Sequence, residues 1–193
     1  MRISIDRVRR DYLALLGESP GLSPTLDYGE ESAVLTLEEE LEARLLPLAV
    51  AATLATPAAL LDEIEEAVPS LLHADGGETS IRLPSDYLRL HSLKMMEWDD
   101  AVREAEPPDS LRAQLGATTP SWMTCPRNPL VVERSDAKGR CLAIYGGGKL
   151  TPVHLLYVPL PEISDGMLRI QRAAYPRLLE MLTGAALRSP RDS

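Results

Sequence analysis

The stretch RLPSDYLRLHSLKMMEW, Arg82 to Trp98, constrains the fold more than any other in this chain. Pro84 withholds an N–H, so an extended segment ending at Leu83 cannot run on unbroken through the interior of a sheet. Beyond it, Tyr87, Leu88, Leu90 and Trp98 supply core surface, each apolar side chain contributing about 1.5–3 kcal/mol when fully buried. The Asp75-Gly76-Gly77 turn signal precedes the stretch. Together these features predict two extended segments, Glu78 to Leu83 and Tyr87 to Met95, although the alternation of apolar residues is imperfect. The stretch holds no nucleophile–base pair, so its first meaning is architectural.

The rest of the 193 residues, 45% of them hydrophobic, is an ordinary soluble composition that can bury a large core. No run approaches the roughly 20 apolar residues of a membrane span, and MRISIDRVRR lacks the apolar centre of a signal peptide, so neither a membrane partner nor export by that route is expected. A net charge of −9 argues against wrapping nucleic acid through a basic face, because such binding needs clustered Lys and Arg to displace counterions. An acidic wall can still serve DNA that must slide past without sticking.

Helices are expected on both sides of the β-rich centre. Val8, Tyr12, Leu15 and Leu16 recur at helical spacing over Ile5 to Gly17. Pro20, Gly21, Pro24 and Gly29 make residues 18–32 a loop. Thr36-Leu37-Glu38-Glu39 forms a capping box, and the helix it opens, with Leu41, Leu45, Leu48 and Ala52 on one side, continues past Pro47 with a kink. Thr56-Pro57 reads as the start of a third helix carrying Leu60, Leu61, Ile64 and Val68. Its acidic residues, Asp62 to Glu66, and Glu38 to Glu42 before them, read as solvated faces. Pro129 to Arg134 and Arg140 to Tyr145 flank Ser135 to Gly139 as a hairpin. Leu155 to Val158 is the expected last strand, and Asp165 to Gly184 a closing helix disturbed at Pro176.

The expected fold is therefore α+β: a mainly helical bundle with an inserted antiparallel β region and a closing C-terminal helix. The chain 1–193 reads as a single domain, with a helical part over 1–72, a β-rich part over 73–162, the closing helix over 163–184 and a disordered tail over 185–193. No internal repeat is present.

Catalytic groups do not converge in the sequence. His73, His91 and His154 stand apart, without HExxH, GxSxG or paired Asp-x-Asp patterns. Cys125 and Cys141 form no CxxC or CxxH pattern and read as free thiols rather than zinc ligands. Gly146-Gly147-Gly148-Lys149 lacks the spacing of a phosphate loop, and Leu150 stands where the magnesium-binding hydroxyl would be. Asp99 and Asp100, as neighbours, point apart and do not easily share one metal ion. No catalytic, cofactor-binding or metal-binding residue is assigned, and no cofactor is expected.

Leu83, Pro84, Asp86, Tyr87, Leu88, Arg89, Leu90 and Trp98 match a Leu-Pro-x-Asp-aromatic-Leu-Arg-Leu pattern running to a tryptophan. In this the stretch resembles a segment of the head-to-tail connector proteins (adaptor or neck proteins, including the tail tubular type) of tailed bacteriophages. Arg127-Asn128-Pro129 is similar to the proline that leads into that family's hairpin. Leu156-Tyr157-Val158-Pro159-Leu160-Pro161 is similar to its final strand, which a closing helix follows. The order of these matches covers roughly residues 37–184. A long charged turn at Ser135 to Gly139 and the triple glycine after the hairpin depart from the family pattern. The resemblance implies a virion or prophage structural protein that is not an enzyme. It would be found in the virion and, during assembly, in the cytoplasm of the bacterial host, where it forms a homo-oligomeric ring between portal and tail proteins around an acidic channel for DNA. The alternatives are a non-viral protein-interaction module that uses the exposed hairpin and the pair of helices after Thr36 and Thr56 to hold a protein partner and, behind it, a metal-dependent enzyme using Asp86, Asp99 or His91.

Overall fold

The computed structural model describes residues 1–17, 37–73, 79–118, 129–145 and 150–188, with the side chains of residues 37–42, 73, 116–118 and 185–188 left aside. The described residues hold four α-helices and ten strands in three antiparallel sheets, which corrects the expectation of a mainly helical bundle. The loop over 18–32, the capping-box side chains Thr36 and Glu39, Cys125, Arg127-Asn128 and Gly146 to Lys149 lie outside the described residues.

Two compact units are formed, residues 1–63 with 160–193 and residues 64–159. In the first, β1 (Arg2–Ser4) leads directly into α1 (Ile5–Leu16). Ser4 caps the helix by accepting the Arg7 N–H, and Gly17, at φ 75°, closes it in the left-handed conformation that favours glycine. Val8 and Tyr12, one turn apart, are its buried residues. The second helix, α2 (Leu37–Ala55), runs continuously across Pro47, which is exposed. Its Leu45, Ala49 and Ala52 join Val8, Tyr12, Leu168, Ile170, Leu178 and Leu182 in one core.

No α-helix opens at Thr56-Pro57. Thr56, read as an N-cap, turns its hydroxyl back to the Ala52 carbonyl at 2.7 Å and finishes α2. A single 3-10 turn covers Ala58–Leu60, and Leu61 is extended. The buried side chain of Gln171 then takes the backbone groups that a helix would have used: its Oε1 accepts the N–H groups of Asp62 and Glu63 at 3.0 and 2.8 Å, and its Nε2 donates to the Glu63 carbonyl.

The C-terminal part of this unit is also less helical than expected. Asp165-Gly166 is a turn rather than a helix start, with φ of 52° and 68° at its two residues. It joins β9 (Glu162–Ser164) to β10 (Met167–Arg169), and β10 pairs on its other side with β1. The closing helix, here α4 (Tyr175–Arg188), begins ten residues later than expected and reaches past residue 185, into the stretch expected to be a disordered tail. Pro176 is its second residue, where a missing N–H costs little. Tyr175 donates to Asp11 at 2.7 Å and fastens α4 to α1.

The second unit is built of strands. β2 (Glu65–Ala67), β5 (Tyr87–Met95) and β8 (Pro152–Pro159) form a sheet of order β2-β8-β5, and β3 (Leu71–His73), β4 (Thr79–Arg82), β6 (Leu130–Asp136) and β7 (Gly139–Tyr145) a sheet of order β3-β4-β7-β6. The extended segments on either side of Pro84 therefore belong to different sheets: β4 pairs with β7, and β5 with β8. The extra β5 residues at Tyr87/Arg89 and Leu90/Ser92 account for the broken alternation, because each resets which face points inward; a third irregularity at Lys94/Met95 places its extra residue in β8. Ile81, Tyr87, Leu90, Leu93, Trp98, Leu142, Leu155 and Tyr157 share one core. A short helix, α3 (Leu111–Thr118), for which the sequence reading made no provision, places Ala113 against Leu130 and Val132.

Candidate functional site

Within residues 64–159 the chemistry gathers around the start of β5 and the β6–β7 hairpin. Pro84 to Tyr87 is a turn closed by the Tyr87 N–H on the Pro84 carbonyl at 3.2 Å. The turn delivers Asp86 to the Tyr157 hydroxyl, which lies 3.0 and 3.2 Å from its two carboxylate oxygens and 3.1 Å from Glu65. The phenol has one proton to donate and two acceptors for it, so it ties β8 to the turn and to β2 at once. Burial, followed by these two carboxylates, raises the Tyr157 pKa and holds the hydroxyl protonated. The Tyr87 ring stacks on Tyr157 with centroids 5.8 Å apart.

Arg140 links this cluster to the base of the hairpin. Its guanidinium lies 5.0 Å from the centre of the Tyr87 ring, donates to the Tyr87 carbonyl at 2.7 Å and pairs with Glu133 across the ladder. At the tip, Asp136 accepts both terminal nitrogens of Arg82, at 2.8 and 3.1 Å, and the Lys138 N–H at 2.7 Å. The Arg82 hydrogen bond, ahead of the Lys138 one, lowers the Asp136 pKa. Where a long charged turn was expected over Ser135 to Gly139, the strands run on to Asp136 and Gly139 and leave only Ala137 and Lys138 between them. The tip, residues 135–140, is exposed.

A groove of about 490 Å³ opens beside β6, between residues 105–108 and Glu133, Arg134 and Ser135. Glu106 makes a one-residue parallel bridge to β6, donating to the Val131 carbonyl at 2.8 Å and accepting from the Glu133 N–H at 3.1 Å.

The residues weighed as an enzyme site are not brought together. Asp86 serves Tyr157; Asp99 and Asp100 are exposed in a bend, and the Asp99 carbonyl accepts from Lys94. His91 keeps its Nδ1 buried, with no hydrogen-bond partner among the described residues, and burial, then Arg103 and Arg89, lower its pKa. His154 Nε2 pairs with the Ser92 hydroxyl at 2.9 Å. His73 lies in β3, and Cys141 is a buried thiol in β7, outside any disulfide. No group of three or more His, Cys, Asp or Glu placed to hold a metal ion occurs among the described residues.

Glu65 falls in the acidic run Asp62 to Glu66 that reads as a solvated face, yet it takes a hydrogen bond from Tyr157; Glu106 and the Pro107-Pro108 pair carry no motif in the sequence. The diproline was the one local signal available there, as a break in regular structure. Among the described residues no helix is long and apolar enough to cross a membrane. Compared with known proteins, the chain matches no family model, and no curated protein matches it significantly.

Proposed function

We propose that this chain is a structural connector of a tailed bacteriophage or prophage, joining portal to tail as one member of a homo-oligomeric ring. One observation carries the reading. The residues of the Leu83-to-Trp98 resemblance form a single block: Leu83, Tyr87, Leu90 and Trp98 pack in one core, and Asp86 anchors the last strand of the similarity through Tyr157. Residues that match as a pattern and also cooperate as a unit are better support than a short apolar run matching by chance.

The exposed hairpin tip beside this block offers a contact surface to neighbours, and the net charge of −9 suits a wall past which DNA slides. The account rests on repeated weak contacts, since a symmetric platform presents many copies of each. The test is capture by the portal protein encoded in the same genome. Binding is expected. It should be lost when Ser135 to Gly139 are deleted and kept when His73, His91 and His154 are replaced together. No binding to that portal, with a metal ion or small metabolite retained by the purified chain, would end the reading.

A further inference from the structure

The β3-β4-β7-β6 sheet has two edges, and the backbone groups along them are complementary. The Leu83 N–H on the Arg140 carbonyl shows which residues of β4 turn towards β7. Hydrogen bonding alternates along an antiparallel ladder, so the pattern carries through the paired strands in both directions. On β3, Leu72 turns its backbone to β4, while Leu71 and His73 turn theirs outward. On β6, Arg134 and Asp136 turn to β7, while Val131, Glu133 and Ser135 turn outward.

Glu106 occupies the outward Val131 carbonyl and the Glu133 N–H, but the segment cannot go further along the edge. The next position in a parallel ladder is Pro108, which has no N–H to give the Glu133 carbonyl, and Pro107 before it lacks one too. The Glu133 carbonyl and the Ser135 N–H and carbonyl therefore face the groove with no partner among the described residues.

We infer that the edge of β6 beyond Glu106 receives the edge of β3 from a second copy of this chain, joining the sheets head to tail. This rests on the ring-forming reading and names its contact. Strand direction favours it. The four strands alternate, so β6 runs opposite to β3, and a copy added in the same orientation meets β6 antiparallel, without being turned over. Spacing favours it as well: with Leu71 opposite Ser135 the outward N–H and carbonyl of each meet, with His73 opposite Glu133 the His73 N–H meets the Glu133 carbonyl while the Glu133 N–H stays with Glu106, and Leu72, which is 44% exposed, lies opposite Arg134 on one face. A two-fold pairing of β6 with β6 would instead drive two 105–108 segments into one groove. A head-to-tail contact of this kind closes into a ring when its rotation permits.

The test is cross-linking of whole chains carrying Leu72→Cys or Arg134→Cys, each with Cys125→Ser and Cys141→Ala, under mild oxidation. Neither variant alone should cross-link, the mixture should give a disulfide-linked dimer, and the chain carrying both cysteines should give a ladder of higher multimers. Cross-linking of Arg134→Cys with itself would overturn the head-to-tail pairing in favour of a two-fold one. Absence of product from the mixture and from the doubly substituted chain would overturn it as well. Parallel portal capture separates the two claims: a ladder without portal binding keeps the strand contact and removes the connector role, while portal-bound rings without any cross-link do the reverse.

Discussion

Replacing Tyr157 by Phe removes one hydroxyl and leaves the ring to stack on Tyr87 unchanged. The hydroxyl serves two carboxylates with one proton, so the loss is that of a single charge-assisted hydrogen bond, about 1.5 kcal/mol at the lower end of the usual range for such bonds. Glu65→Ala or Asp86→Ala should each cost less than this, because the remaining carboxylate keeps the proton. The pair together should cost about as much as Tyr157→Phe, more than the two single losses added. Trp98, buried in the same core, makes fluorescence-detected urea unfolding a suitable readout for this unit. A cost below about 0.5 kcal/mol for Tyr157→Phe would refute the reasoning. So would simple additivity of the two carboxylate replacements.

Pro47→Ala should leave stability unchanged or raise it, since it restores an N–H for the Ala43 carbonyl in a continuous helix whose proline is exposed; a loss above about 2 kcal/mol would show that the proline fits a packing site. Gly139→Ala should cost about 1–3 kcal/mol in thermal or urea unfolding, because φ of 116° strains any residue with a Cβ, although the space around it is open. Leu142→Ala, at a fully buried position between β4 and β6, should cost about 2–5 kcal/mol. His91 has a folded pKa below its ordinary 6.5, so the unfolded chain takes up the proton first. Stability should then fall as pH drops below the ordinary histidine value of about 6.5, and His91→Gln should flatten that slope when urea midpoints are compared.

Much of the β-rich unit was legible because its signals are local. The hairpin from Leu130 to Tyr145 announced itself through its flanking apolar runs and the turn residues Ser135 to Gly139, and β5 through its aromatic and aliphatic content. The helix expected after Thr56 shows how helical spacing can mislead. Leu60, Leu61, Ile64 and Val68 fit that spacing, but Leu60 is 59% and Val68 95% exposed, and the deciding partner, Gln171, lies more than a hundred residues away.

The β9–β10 hairpin failed for the opposite reason. Asp165-Gly166 is a strong two-residue turn signal, yet the flanking strands are three residues each, too short to display an alternation against the helical pattern that follows. β2 and β3 are equally short and owe their existence to β8 and β4. The Tyr157 cluster was half legible: Asp86 stood out in the pattern, but its partners come from strands distant in sequence, and only the register of β8 against β2 and β5 brings them together.

The central claim is assembly on a portal, and particle imaging of the two proteins mixed tests it most directly. The account predicts symmetric, ring-shaped density of this chain on one face of the portal, present with the full chain and absent when Ser135 to Gly139 are deleted. Bare portal particles at every mixing ratio, with the chain correctly folded, would contradict it.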